Sequence, residues 1–436
     1  MTQLRDPVYV GDELPPPLPS PSSPGGNLAR LIVSVVLIVA IAIAAHETDL
    51  LVVIVAIIAM VMLHELGHFA TAKWSGMKVT EYFLGFGPRL WSTRRGETEY
   101  GIKALPLGGY VKIIGMSNLE EVAPEDEPRA YRNQPFRKRV LVAVAGSAMH
   151  FLLAIILFFV IFVGYGVQQP GTVVVEGLTV WQGPTSPAQV AGVQPGDVIV
   201  SVDGKAVHNV DQVGDVTRNS VGKKVTLVVR HNGVDRTLTV VPTNGHNVIL
   251  GGSPAVPAST KASGLIGVEL EYPNVTERPL SAAGQSFTSL GDLMKDSVQV
   301  VWNRFSPAGI ANLLDQVSNT QAAKQAANNG TRPESIYGAV RTATQGAQAG
   351  WGNFLLVFVE INVFIGMINL LPMLPLDGGH VAIAVYERIR SRRGRPYHAD
   401  VAKLTPVVYA FVLVLAVIVI SSLYLDIAHP IPNPFK

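Results

Sequence analysis

The stretch LLVVIVAIIAMVMLHELGHFATA, residues 50–72, decides what kind of protein this is. As a helix, this apolar run is long enough to cross a hydrocarbon core of about 30 Å. It nevertheless contains three ionisable side chains close together, His64, Glu65 and His68. An ionised side chain near the middle of a membrane costs about 2.5–3.5 kcal/mol. The run therefore predicts a membrane-spanning helix with a functional site inside it.

The spacing of the HELGH motif, residues 64–68, is typical of a metal site. Residues four apart on a helix lie one turn above each other on the same face, so both His64 and His68 can reach one ion. Glu65 is rotated by about 100° from His64, where it can take a proton from metal-bound water without being a ligand. Zinc lowers the pKa of such a water toward about 7. The alternative, two histidines beside an unrelated glutamate, does not explain their place in an apolar run.

A third protein ligand is needed, because two imidazoles alone leave a zinc site incomplete. The strongest candidate in the other apolar runs is Asp377, in NLLPMLPLDGG at 369–379, and Glu360 lies in the same run. Irregular backbone at membrane depth is tolerated only inside protein or beside water, so the prolines here can aim a carboxylate at a neighbouring helix. As an alternative, Asp377 caps a helix around 386–392. A cap explains neither the depth of Asp377 nor the presence of Asn369, and we therefore expect a ligand.

Composition agrees with a membrane protein and excludes several other classes. Of 436 residues, 48% are hydrophobic and 15% charged, whereas about a quarter of the residues in soluble domains are charged. The net charge of +2 gives no reason to expect nucleic-acid binding. The glycines around Phe86 lack the third glycine and the context of a nucleotide site. Because cysteine is absent, any metal must be held by nitrogen and oxygen ligands.

The apolar runs predict an α-helical polytopic membrane protein with about five transmembrane helices. The runs cover about 29–46, 50–72, 140–164, 352–371 and 405–425. Lys and Arg accumulate in cytoplasmic loops, so the basic segments 73–139 and 388–395 are expected inside the cell. Region 165–350 then lies outside, and the metal site lies toward the cytoplasmic side of the plasma membrane.

The outer region contains a folded domain with strands. KKVTLVVRHN and DRTLTVVP alternate as strands do, and the turn residues Asn232-Gly233 join them. They follow SPAQVAGVQPGDVIVSVDGKAV, residues 186–207. This stretch resembles a bacterial, circularly permuted PDZ domain, which would cover roughly 171–273.

The two polar motifs together resemble the site-2 protease family of intramembrane zinc metalloproteases. HELGH lies in one spanning run and NLLPMLPLDGG in a later one, and the resemblance covers most of residues 50–430. The stretch 82–116 (YFLGFGPRLWSTRRGETEYGIKALPLGGYVKIIGM) is especially similar to actinobacterial members that act in regulated intramembrane proteolysis. The resemblance implies membrane-anchored anti-sigma factors as substrates. It also implies specific roles: Zn²⁺ ligands His64, His68 and Asp377, catalytic base Glu65, and substrate or transition-state contact Asn369.

Two further segments are interpreted through this resemblance. GIKALPLGGYVKI, residues 101–113, would form a membrane-dipping β-hairpin beside the zinc, with substrate contacts at Leu107, Gly108 and Gly109. Pairing with a strand edge would hold an unwound substrate extended; an ordinary cytoplasmic hairpin is the alternative. The sequence departs from the family in AGSAMH, where His150 stands in place of the usual asparagine.

The chain divides into six expected segments: a disordered Pro-rich cytoplasmic tail (1–27), an extra N-terminal transmembrane helix (28–46), a first part of the protease core (47–164), the extracytoplasmic PDZ domain (165–280), an extracytoplasmic linker with an amphipathic segment (281–350) and a second part of the core (351–436). Three other histidines near the ends of apolar runs are expected at the membrane interface: His46, His380 and His398.

Two other functions compete with proteolysis. One is a membrane PDZ scaffold without catalysis, against which the intact Glu65 and the complete ligand set count. The other is a metal transporter, since buried His and Asp also line ion pathways; the absence of repeated or inverted halves counts against it. The PDZ domain itself is either a gate that excludes untrimmed substrates or a tether for one partner protein.

Overall fold

The computed structural model of the protein describes residues 24–116, 120–169, 171–250, 253–257, 260–391 and 397–435. The predicted disordered tail, 1–27, falls outside these ranges except for its last residues, which already belong to a helix. The described helices are α1 Pro24–Ala44, α2 Thr48–Trp74, α3 Phe136–Val160, α4 Pro187–Ala191, α5 Val210–Arg218, α6 Pro279–Phe305, α7 Pro307–Ser318, α8 Thr320–Asn328, α9 Ile336–Ala349, α10 Trp351–Asn369, α11 Asp377–Arg390 and α12 Thr405–Ala428.

Within the described ranges, four helical segments are long and apolar enough to cross a membrane: Thr48–Trp74, Phe136–Tyr165, Trp351–Asn369 and Val401–Ala428. They correspond to the last four apolar runs of the sequence. The first run forms α1, whose apolar part, Leu31–Ala44, is shorter, so a fifth span remains a prediction.

The strands are β1 Val79–Arg95, β2 Thr98–Ile113, β3 Val167–Gln168, β4 Val173–Leu178, β5 Val198–Val202, β6 Lys205–Ala206, β7 Val225–His231, β8 Val234–Val240, β9 Thr243–Asn244, β10 Ile249–Leu250, β11 Ser253–Pro254, β12 Gly264–Leu265, β13 Val268–Glu271 and β14 Asn274–Val275. The chain forms two compact units, one built from 1–154 and 290–436 and the other from 155–289. The first contains the β1–β2 hairpin and most of the apolar helices.

The second unit is organised around a six-stranded antiparallel sheet. Its strand order is β13-β4-β5-β7-β8, with β6 paired to β5. The predicted turn between β7 and β8 is confirmed: His231 pairs with Val234, and Asn232 and Gly233 both have positive φ, 48° and 80°. Two consecutive residues with positive φ are typical of the tight turns that match the twist of a hairpin. The core of this unit is formed by apolar side chains from along its whole sequence, among them Val173, Val175, Ile199, Val202, Leu227, Val229 and Ile266.

In the first unit, the hairpin of β1 and β2 is fastened to α2. The Tyr82 hydroxyl donates a hydrogen bond to the main-chain oxygen of Met62 (2.9 Å). At the hairpin turn, Glu97 accepts hydrogen bonds from Arg129 and from Lys73 at the end of α2. These contacts lower the pKa of Glu97 to about 2, and the hydrogen bond from Arg129 has the largest effect. The hairpin is therefore held beside the helix that carries the HELGH motif.

The interruption of the helix after α10 determines the position of Asp377. The helix ends at Asn369, shortly before Pro372 and Pro375, and a residue that precedes proline disfavours the helical conformation. α11 begins at Asp377. A Cβ on Gly378 would lie only 2.2 Å from the main-chain oxygen of Leu370, so the tight return of the chain requires glycine.

A buried ion pair joins α12 to the segment before α9. The side chains of Arg332 and Asp426 are fully buried, and Nη2 of Arg332 donates to Oδ1 of Asp426 (2.7 Å). The second carboxylate oxygen, Oδ2, accepts a hydrogen bond from the main-chain N–H of Ser335 (2.6 Å). Both oxygens of this carboxylate therefore accept a hydrogen bond.

Replacing Arg332 with methionine is expected to destabilise the protein by about 3–5 kcal/mol, because Asp426 then remains as a buried charge without its partner. Thermal unfolding in detergent measures the effect. The matched control is Lys403→Met, which removes an exposed pair with Asp400 and should change stability by no more than about 1 kcal/mol. Equal shifts in the two variants would contradict this role of Arg332.

Candidate metal centre and active site

The two histidines of the HELGH motif face one another on α2. Their Nε2 atoms lie 3.2 Å apart, and both side chains are largely buried. Helix geometry alone accounts for this pairing, because residues four apart share a face. The expected arrangement of His64 and His68 is therefore found.

Asp377 approaches the same point from the first turn of α11. Its Oδ2 lies 3.2 Å from Nε2 of His68 and 3.4 Å from Nε2 of His64. In the described ranges these three residues form a group whose ligand atoms lie within 4.8 Å of one another. Glu360, the other carboxylate of that apolar run, is not part of the group.

The geometry of the three atoms fits zinc. A tetrahedral ion with bonds of about 2.0–2.1 Å holds its ligand atoms about 3.3–3.4 Å apart. The observed separations, 3.2 to 3.4 Å, agree with this value. Two imidazole nitrogens and a carboxylate oxygen are also the ligand types of a catalytic zinc site. The residues present therefore fit the metal.

His68 is held in the tautomer that a metal requires. Its Nδ1 lies 2.7 Å from the main-chain oxygen of Val142 on α3. A carbonyl oxygen only accepts, so Nδ1 carries the proton and Nε2 keeps its lone pair. This contact fixes both the orientation and the basicity of the ligand.

Gly146 of α3 lies against both histidines. A Cβ at this position would come within 2.4 Å of Cε1 of His64 and of Nε2 of His68. Only glycine therefore lets α3 pack this closely against α2. No sequence pattern pointed to Gly146, although it lies in AGSAMH, the segment where the sequence departs from the family.

A cavity of about 340 Å³ brings the remaining predicted residues together, except Leu107. Its lining includes Glu65, Gly108, Gly109, Asn369 and Asp377. A Cβ on Gly109 would lie 3.1 Å from Cγ of Glu65, so the hairpin contacts the predicted base directly. Leu107 lies in β2, but its side chain is outside the described part of the structure.

Comparison with known proteins identifies the family. Residues 52–416 match the sequence profile of Peptidase family M50. The chain belongs to peptidase family M50. This is the site-2 protease family, so the resemblance inferred from the two motifs is confirmed, and the protein is a zinc metalloprotease with zinc as its cofactor.

Mycobacterial members of the M50 family are similar to the chain over most of its length. The zinc metalloprotease Rip1 of Mycobacterium tuberculosis strain H37Rv is 35% identical over 418 residues, which cover 89% of this chain and 98% of that protein. Rip1 of Mycolicibacterium smegmatis is 34% identical over 403 residues, 86% of this chain and 96% of the relative. With the four apolar helices, the family places this protease in a membrane.

Proposed function

We propose that this protein is an intramembrane endopeptidase that cleaves peptide bonds inside the transmembrane segments of single-span proteins. The observation that supports the proposal most strongly is the position of the three zinc-binding atoms. His64 and His68 lie on a helix long and apolar enough to span a membrane, and Asp377 follows directly on the break of another. Hydrolysis at this site would take place at membrane depth.

The chemistry follows from the groups around the cavity. When bound to His64, His68 and Asp377, zinc supplies Lewis-acid polarisation and lowers the pKa of water. Glu65 takes the proton of the attacking water and delivers it to the leaving amine nitrogen. The side-chain amide of Asn369 donates a hydrogen bond to the carbonyl oxygen as negative charge develops on it.

Replacing Asn369 with alanine should reduce kcat by about 10²–10³-fold, the usual loss when one donor to a developing oxyanion is removed. Zinc content should not change, since Asn369 is not one of the three ligands. Steady-state cleavage of a peptide, with metal quantified on the same sample, measures both. Unchanged turnover in this variant would remove Asn369 from the mechanism.

We infer that the β1–β2 hairpin holds the substrate extended beside the metal. Its support is the contact of Gly109 with Glu65 and the presence of Gly108 and Phe86 in the cavity lining. A strand edge supplies hydrogen bonds to an unwound segment. A photo-cross-linker at Leu107 should capture a bound substrate, with a cross-linker at Val61 of α2, which lines the same cavity, as the positive control. Capture at Val61 alone would favour an ordinary cytoplasmic hairpin.

We infer also that residues 171–273 form a circularly permuted PDZ domain on the outer side, which excludes substrates whose external parts have not been trimmed. The antiparallel sheet of the second unit and a groove between α5 and the segment Gly264–Val268 support this. Deleting 171–273 should release cleavage of untrimmed substrates. Loss of cleavage of trimmed substrates in this deletion would contradict gating.

The expected setting is the plasma membrane, with the active site toward the cytoplasm and pre-trimmed, membrane-anchored anti-sigma factors as the substrate class. A tagged single-span anti-sigma-factor fragment, incubated with purified enzyme in detergent, tests the proposal. A cut within the span is the expected result. Zinc-loaded enzyme that cleaves an unstructured peptide but never a span would overturn it. Ion flux in proteoliposomes without any cleavage would instead support a transporter.

A further inference from the structure

Two buried side chains, His150 on α3 and Asn362 on α10, form a reciprocal pair. The Nδ2 of Asn362 donates a hydrogen bond to the main-chain oxygen of His150 (2.6 Å). In return, Nδ1 of His150 lies 2.7 Å from Oδ1 of Asn362. A Cβ on Gly366 would come within 2.9 Å of the His150 Cβ, so glycine on the next turn of α10 permits this close approach.

The pair fixes the tautomer of His150. The amide of Asn362 can point in only one direction, because the main-chain oxygen that it contacts accepts and does not donate. Its Oδ1 must then accept the proton of Nδ1. A neutral imidazole carries one proton, so Nε2 of His150 is left with a lone pair. In the described part of the chain this atom has no hydrogen-bond donor.

His150 borders the active site without belonging to the zinc ligands. It lines the same cavity as Glu65, Asn369 and Asp377. Its ring centroid is 5.1 Å from that of His64, but it is not in the group of ligand atoms formed by His64, His68 and Asp377. The cavity therefore holds a neutral hydrogen-bond acceptor for which the mechanism above has no use.

We propose that Nε2 of His150 accepts a hydrogen bond from a main-chain N–H of the substrate, and that Asn362 is the positioning residue for this contact. The inference rests on the proposed cleavage of an unwound segment. Unwinding exposes main-chain N–H groups that lose their helical acceptors, and in apolar surroundings each needs a replacement. Asn369 serves the carbonyl side of the peptide and His150 serves an N–H.

The test compares four variants of the full-length enzyme: His150→Phe, His150→Gln, Asn362→Leu and Ser147→Ala. Phenylalanine keeps a ring but removes the acceptor. KM should therefore rise about 10-fold with kcat nearly unchanged, because the lost hydrogen bond is made equally in the bound substrate and in the transition state. Glutamine offers an acceptor oxygen and should restore most of the loss. Asn362→Leu leaves His150 in place but frees its tautomer, so KM should rise by a smaller factor. Ser147, also buried on α3, is the control and should change KM by less than about twofold.

Zinc content and thermal midpoint are measured on every variant, and KM is determined with a single-span substrate and with a short unstructured apolar peptide. A KM of the Phe variant within about twofold of wild type overturns the inference. If the His150→Phe variant loses zinc or thermal stability, the Asn362→Leu variant decides the question. An unchanged KM in the Asn362→Leu variant overturns the inference. Wild-type enzyme that cleaves the peptide but not the span refutes the proposed function alone, because the peptide KM values still decide the role of His150.

Discussion

Replacing Glu65 with glutamine should abolish nearly all cleavage while the zinc remains bound. Glutamine is close in size but cannot take a proton, so the loss of the general base should lower kcat by about 10²–10⁴-fold. The three ligand atoms, on His64, His68 and Asp377, are untouched, and about one zinc per chain should remain. Elemental analysis and turnover of a cleavable peptide, measured on one preparation, test both statements.

The matched comparison is Asp377→Asn, in which a ligand is altered instead of the base. This variant should lose both zinc and activity, since the carboxylate oxygen 3.2 Å from Nε2 of His68 no longer carries charge. Full activity in the Glu65 variant would exclude Glu65 as the base. Loss of zinc in the Glu65 variant would instead assign Glu65 to the metal.

Gly146→Ala should have the second largest effect, although it changes one hydrogen for a methyl group. The new Cβ would lie 2.4 Å from Cε1 of His64 and 2.4 Å from Nε2 of His68, so both imidazoles must move. A shift of about 1 Å at a reacting centre can cost 10²-fold in rate, and we expect at least this loss together with a zinc content well below one per chain.

Alanine favours a helix by about 1 kcal/mol over glycine, so a weakened helix cannot explain such a loss. The control is Gly164→Ala, on the continuation of the same helix, where a Cβ would meet no atom within 4 Å. This control should keep zinc and activity. A Gly146→Ala enzyme with full zinc and normal turnover would contradict the packing of α3 against α2.

Much of the active site was predictable from sequence, because His64, Glu65 and His68 are close together in the chain and lie on one helix. The approach of His64 to His68 depends only on the helical repeat, and the helix itself follows from a long apolar run. The end of α10 at Asn369 was equally predictable, since prolines follow it. Asp377 could be selected as a ligand because few carboxylates occur in apolar runs.

The distances between helices could not be predicted in this way. Asp377 lies 309 residues from His68 along the chain, and no local rule sets the 3.2 Å between their ligand atoms. Nor could the sequence show that Val142 fixes the tautomer of His68, because that contact depends on how α3 lies against α2. In the sequence, His150 is only a departure from the family pattern. Its hydrogen-bonded partner, Asn362, is visible only in the structure.

The sequence by itself determined the class of protein and its apolar helices, and it supplied the candidates for the site: His64, His68 and Asp377 as zinc ligands and Glu65 as the base. These follow from composition, hydrophobic length and helical periodicity, which act over a few residues. Only the tertiary structure decided the contacts of Gly146, of Val142 and of the His150–Asn362 pair. The reason is that close packing between helices is set by side-chain shape and by hydrogen bonds between residues far apart in the chain, neither of which leaves a periodic signal in the sequence.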